Sequence, residues 1–156
     1  MTTAAAPPGT EDFLIPLGDE ESEGFWEGTA AEELRVQACG ACSRLRFPPT
    51  VMCPHCQSTE RHWNPVSGNG TIWSFVVAHP PLLPAYAPFA PFPVITVTLA
   101  EEASLRMVGN LVTGPQGAIN EVDPATIVIG EPVHVVFSAR IRPDGSAMFL
   151  PAWVRS

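Results

Sequence analysis

The sequence predicts a mainly β chain: one N-terminal helix, a small knuckle module, then a five-stranded barrel. Three observations predict it. Two CxxC pairs, Cys39/Cys42 and Cys53/Cys56, stand ten residues apart. Short β-branched and aromatic runs of strand length follow, punctuated by Gly, Pro, Asn and Asp. The stretch with the clearest helical character, residues 22–31, precedes both.

Taken in chain order, residues 1–21 form an acidic, partly mobile leader, rich in Ala, Pro and Thr at its start. Ser22 is placed to cap a short helix reaching about Ala31, with Phe25 and Trp26 as apolar anchors. Its acids lie near the end that the helix dipole favours. Those aromatics pack on the domain or face a partner. Leu34, Val36 and Ala38 alternate with Arg35 and Gln37, which predicts a strand running into the first knuckle. Leu45–Phe47 and His62–Val66 are short strands flanking the second.

Each CxxC lets two thiolates on one tight turn reach the same ion. Two such knuckles, Cys39, Cys42, Cys53 and Cys56, close an all-thiolate tetrahedron around Zn(II) with no position left for water, so the metal is structural. This is the pattern of a rubredoxin-like zinc ribbon, which together with the helix occupies residues 22–67. Small turn residues, Gly40, Ala41 and Pro54, sit in the knuckles. Rubredoxin-type iron uses the same ligands; a disulfide pair requires an oxidising compartment, a dithiol redox motif needs one pair only, and His55 replacing a cysteine is a variant of the same site.

Gly68, Asn69 and Gly70 read as the boundary to a second unit, residues 68–156. Five strands are expected there: Thr71–Ala78, Val94–Leu99, Leu105–Asn110, Val133–Phe137 and Met148–Trp153. Glu101–Ser104 is the turn between two of them, and Pro143, Asp144 and Gly145 make another. Five short strands in so few residues predict a Greek-key barrel of the OB-fold type.

Composition narrows the function classes. With 156 residues and 46% apolar content the chain can bury a sizeable core. It contains no membrane-length apolar run and no secretory pattern, so a cytoplasmic location is expected. The net charge of −8 is unevenly placed: nine acids and no base occupy residues 1–33, while the remainder carries seven acids and eight arginines. The arginines are scattered and lysine is absent, which argues against a nucleic-acid stripe, although Trp73 and Phe75 are possible stacking platforms.

Several segments occur in order: FWEG (25–28), ELRVQACGAC (33–42), RFPPTVMCPHC (46–56), SGNGTIWSF (67–75), PFPVITVTL (91–99), MVGNLV (107–112) and IGEPVHVVF (129–137). Together they resemble the DUF35 family, acyl-CoA-associated proteins built of a zinc ribbon and an OB-fold. The resemblance covers the chain from about Ser22. It implies a non-catalytic accessory subunit that binds a thiolase-fold partner in a heteromer, two copies of each, and helps form its acyl-CoA site. Members are similar in associating with thiolases, with aldolases acting on steroid side-chain thioesters in lipid degradation, and with hydroxymethylglutaryl-CoA synthases. Related domains are fused to hotdog-fold hydratases. The alternatives are a nucleic-acid-binding ribbon and barrel, or a purely structural scaffold.

The residues themselves offer no catalytic set: no GxSxG elbow, HExxH helix or GxxxxGK loop occurs. His79 is expected to make a structural hydrogen bond rather than to act as an acid or base. The loop 80–93, with six prolines around Tyr86, Phe89 and Phe92, is either a stiff docking surface or a connection packed on its own core. Arg106, Arg140 and Arg142 are candidates for CoA phosphates but read first as solvated surface charges.

Overall fold

The computed structural model describes residues 5–156; the start of the leader lies outside them. Helix α1 spans Glu23–Ala30. It is followed by β1 (Arg35–Cys39), β2 (Leu45–Arg46) and β3 (Arg61–Pro65), which form an antiparallel sheet in the order β2-β1-β3. A second sheet contains β4 (Asn69–Ala78), β5 (Phe92–Leu99), β6 (Arg106–Asn110), β7 (Pro132–Ile141) and β8 (Ala147–Arg155), in the order β6-β5-β4-β7-β8. A parallel bridge between Leu111 and Trp153 joins the two edges and closes the barrel. The architecture is the predicted ribbon followed by a five-stranded OB-type barrel.

Strand β5 shows why these residues fold so. Ile95, Val97 and Leu99 alternate inward and are essentially buried, while Val94, Thr96 and Thr98 stay partly exposed. The turn after β5 lies where expected, with Leu105 N–H donating to the Glu102 carbonyl at 3.0 Å. Gly145, at φ +83°, lets the β7–β8 hairpin turn, and the Asp144 carboxylate accepts from Ser146 N–H at 2.8 Å.

Four details depart from expectation. Ser22 occupies the N-cap position, but its hydroxyl makes no cap bond and donates to the Asp19 carboxylate at 2.6 Å, closing the turn before the helix instead. Gln37, on the polar side of the β1 alternation, is fully buried, because its side-chain oxygen accepts from Arg46 Nε at 2.5 Å and Thr50 N–H at 3.0 Å. Asn69 and Gly70 belong to β4 rather than to a linker. There Gly70 passes so close to β5 that a Cβ would sit 2.5 Å from the Thr98 carbonyl oxygen. Strand β7 runs on to Ile141, through Ser138 and Arg140, which the apolar pattern did not mark as strand.

One core joins ribbon, helix and barrel. Phe25 of α1, Leu34 just before β1 and Val36 of β1 pack in the same cluster as Ile72, Val97, Leu105 and Trp153 of the barrel. Helix α1 fits into this junction because of its glycines. A Cβ on Gly24 would lie 2.2 Å from the Trp63 ring, and one on Gly28 2.7 Å from the Glu33 carbonyl oxygen. Gly24→Ala is therefore expected to destabilise the chain by about 1–3 kcal/mol through overpacking, despite gaining about 1 kcal/mol of helix propensity. Urea unfolding checks this; a stabilised variant would show that Trp63 moves aside freely.

A satellite cluster covers one flank of the barrel. Phe13 of the leader is buried against Tyr86 and Phe89 of the proline loop, with ring centroids 4.3 and 5.1 Å away, and against Phe92 and Ile119. The aromatics of loop 80–93 thus pack on a small core of their own, to which the leader contributes Phe13.

Candidate metal centre and apolar groove

The four cysteines converge. Cys39 ends β1, and its backbone N–H donates to the Arg44 carbonyl while its carbonyl accepts from Ser43 N–H at 3.0 Å. Cys53 repeats the arrangement with Ser58 and with Gln57, whose N–H donates to the Cys53 carbonyl at 2.9 Å. In both knuckles the residue after the second cysteine turns left-handed, Ser43 at φ 60° and Gln57 at φ 63°. Neither is glycine, so the turn-forming residues are not those that the small side chains of Gly40, Ala41 and Pro54 had pointed to.

The sulfurs of Cys39, Cys42, Cys53 and Cys56 all lie within 4.8 Å of one another. Cys39 and Cys56 approach to 3.5 Å, and Cys42 and Cys53 to 3.7 Å. A tetrahedral shell with metal–sulfur bonds of about 2.3 Å has sulfur–sulfur edges of about 3.8 Å. The donor set therefore fits a tetrahedral ion, and all four side chains are free thiols rather than disulfides. His55 is not part of the cluster: its Nδ1 lies 3.2 Å from an Arg44 guanidinium nitrogen.

The electrostatics are those of thiols crowded around one point. Without an ion, Cys39 is pulled down to about 6, chiefly by the Cys42 N–H aimed at its sulfur. Cys53 is lowered by the N–H groups of Cys56 and His55. For Cys56 the Ser58 N–H favours the thiolate, but the neighbouring sulfurs and burial outweigh it and push the thiol up to about 12. Four thiolates coexist there only around a cation. Among the described residues this is the one cluster of three or more His, Cys, Asp or Glu side chains able to hold a metal.

Beside the ribbon, α1, β6 and β8 enclose an apolar groove of about 330 Å³, lined by Phe25, Trp26, Phe47, Pro49, Val108 and Pro151 among others. Phe25 is a core residue and Trp26 is partly buried against the same core, so both helix anchors pack on the domain while also lining the groove. The indole N–H of Trp26 is buried without a partner among the described residues. A wider depression of about 600 Å³ on the other side of α1 is lined by Asp19, Glu20, Glu23 and Glu27, which repel an anionic ligand.

The remaining candidates are dispersed. His79 stands exposed directly after β4. Arg106 stacks over the half-exposed Trp73 with its guanidinium carbon 4.1 Å from the ring, while Phe75 packs against the core. Arg142 reaches the Met148 sulfur. Arg140 is 6% exposed, so the reading of it as a solvated charge is corrected: β7 carries it beneath Phe13.

Two family descriptions match the chain in tandem: the rubredoxin-like zinc ribbon domain of ChsH2 over residues 26–60, and the C-terminal OB-fold domain of ChsH2 over residues 63–138. A solved structure described as the Ltp2-ChsH2(DUF35) aldolase superposes with a TM-score of 0.73 at 31% identity, covering 90% of this chain and 98% of that one. The chain belongs to the DUF35 family. A crystal structure of a DUF35 protein of unknown function from Sulfolobus solfataricus shares the fold, with a TM-score of 0.56 and 10% identity over 88% of this chain and 86% of that one. Among curated relatives, a probable enoyl-CoA hydratase alpha subunit of Thermomonospora curvata is 38% identical over 110 residues, 70% of this chain and 31% of that protein. The 3-oxo-4,17-pregnadiene-20-carboxyl-CoA hydratase alpha subunit of Mycobacterium tuberculosis is 36% identical over 125 residues, 80% of this chain and 36% of that protein. This DUF35 chain spans about a third of the length of these curated relatives. None of its described helices is long and apolar enough to cross a membrane.

Proposed function

We propose that this DUF35 chain is a non-catalytic accessory subunit that binds a thiolase-fold partner and helps form the partner's acyl-CoA site. The observation that carries the reading is the match, over nearly the full length of both chains, to a chain of the Ltp2-ChsH2(DUF35) aldolase. The similar proteins are named as an aldolase and as two hydratase subunits acting on CoA thioesters, one of them steroid-derived. The chain's own residues agree with a supporting role. The cysteines suit a closed structural zinc site, which leaves no position for substrate.

The groove between helix, ribbon and barrel is the surface that best suits this role, because its walls offer the apolar and aromatic area that interfaces and acyl chains use. When bound, zinc supplies rigidity to the ribbon wall of that groove. Cys39, Cys42, Cys53 and Cys56 would hold it.

The test is affinity capture of the tagged chain from its native cell extract, with mass spectrometry of what survives a salt wash. A thiolase-fold protein in near-equal amount is expected; a lone chain, or one bringing down nucleic acid, overturns the reading. Val108 is 62% exposed on the groove rim, so Val108→Asp leaves stability within about 0.5 kcal/mol. It is expected to weaken capture of the partner at least roughly tenfold by burying a charge. Unchanged capture would move the partner surface elsewhere.

A further inference from the structure

The ribbon wall of the groove hangs on one side-chain oxygen. Gln37 is fully buried on β1, and its carboxamide oxygen accepts from Arg46 Nε at 2.5 Å and from Thr50 N–H at 3.0 Å. Arg46 Nη2 also donates to the Thr50 carbonyl at 3.4 Å. Both ends of residues 46–50 are therefore pinned to the same point. The loop between those ends carries Phe47 and Pro49, which line the groove, and Phe47 meets Phe25 of α1 with ring centroids 5.5 Å apart.

The clamp is continuous with the metal knuckles on both sides. Gln37 pairs with Arg46 in the β1–β2 register and shares its strand with Cys39. Thr50 leads into Cys53, its hydroxyl donating to the Met52 carbonyl at 3.0 Å. Stability alone does not account for such a network. Arg46 is 8% exposed, and the salt bridges of the described residues involve Arg35, Arg61 and Arg155 instead. Arg46 Nη1 and Gln37 Nε2 are buried without a partner among the described residues. A polar network satisfied only in part stabilises less than apolar side chains filling the same space. What it supplies is direction: hydrogen bonds to one oxygen fix the course of the loop, which non-directional apolar contact does not.

We propose that Gln37 and Arg46 are positioning residues for the docking groove, clamping residues 46–50 so that Phe47 and Pro49 present one fixed wall to the partner. The docking role rests on the accessory-subunit reading; the clamp itself is a property of the free chain.

The zinc-loaded full chain carrying Gln37→Met and Arg46→Met together tests this, because replacing both partners with unbranched apolar side chains leaves no unpaired charge buried. Bound zinc and the amide protection of β5 and β7 should persist. Thr50 N–H, deprived of its acceptor, should exchange about tenfold faster, and the thiolase-fold protein captured by the wild type should bind about tenfold more weakly. Gln37→Glu alone should match the wild type in both measurements, since a carboxylate oxygen accepts the same two bonds. Unchanged exchange or unchanged affinity in the double variant, or loss of either in Gln37→Glu, overturns the proposal. If the double variant does not fold, the wild type still decides: its Thr50 N–H should exchange as slowly as the β1 amides, and exchange as fast as that of the exposed Val51 overturns the clamp. A wild type that captures no thiolase-fold protein overturns the accessory-subunit reading and the docking role with it, whereas fast exchange at Thr50 overturns the clamp alone.

Discussion

Chelating the metal is expected to unfold the ribbon while leaving the barrel largely folded. The reason lies in what residues 40–60 bury: Arg46 and Cys53 alone, with no apolar side chain other than the cysteine fully inside. A two-residue β2 and two tight knuckles cannot offset the ordering entropy of that stretch. The ion must supply the difference, and structural zinc contributes on the order of 10–16 kcal/mol in isolated zinc-finger peptides. One zinc per purified chain is expected by metal analysis. After chelation, amide exchange should lose its protection at residues 39–60 and retain it in β5 and β7. Cys39→Ser should behave alike, since Cys39 is fully buried and ends β1. A metal-free chain that keeps protection at 39–60 would refute the structural role.

Trp153→Ala should be the most damaging single truncation in the barrel, at about 3–5 kcal/mol. Trp153 is the largest side chain with no exposed surface. Its backbone also closes the barrel, through the bridge to Leu111 and through its carbonyl, which accepts from Val112 N–H at 2.8 Å. Gly109 makes room for the indole, since a Cβ there would lie 2.8 Å from Nε1. The corresponding fall in Tm is about 6–20 °C at roughly 2–4 °C per kcal/mol. Trp153→Phe should cost distinctly less: it leaves a smaller cavity and removes an indole N–H that is buried without a partner among the described residues. Calorimetry of the two variants checks the ordering. A loss below about 1 kcal/mol for Trp153→Ala would mean the core collapses around the gap.

Legibility in the sequence followed how local each signal was. Cys39, Cys42, Cys53 and Cys56 were readable because a CxxC turn places two sulfurs by short-range geometry alone. The alternation of β5 was readable because one face is buried and the other is wet. Gln37 and Arg140 were not. A buried polar side chain follows the same period as an exposed one, and only its partners, Arg46 and Thr50 for Gln37, reveal which it is. The groove was equally hidden, since Trp26, Phe47 and Val108 are distant in sequence and meet only when α1 seats its glycines against Trp63 and Arg35.

Spacing and periodicity by themselves therefore determined the ribbon, its four sulfur donors and the strand-rich barrel, because each depends on residues within a turn or a strand of one another; the family came from the resemblance of ordered segments along the chain. The tertiary structure alone decided that ribbon and barrel share one core, that Phe13 roofs a buried arginine, and which aromatics face the groove. Those outcomes depend on long-range packing, where the free energy of burying a side chain is set by neighbours that no local pattern encodes.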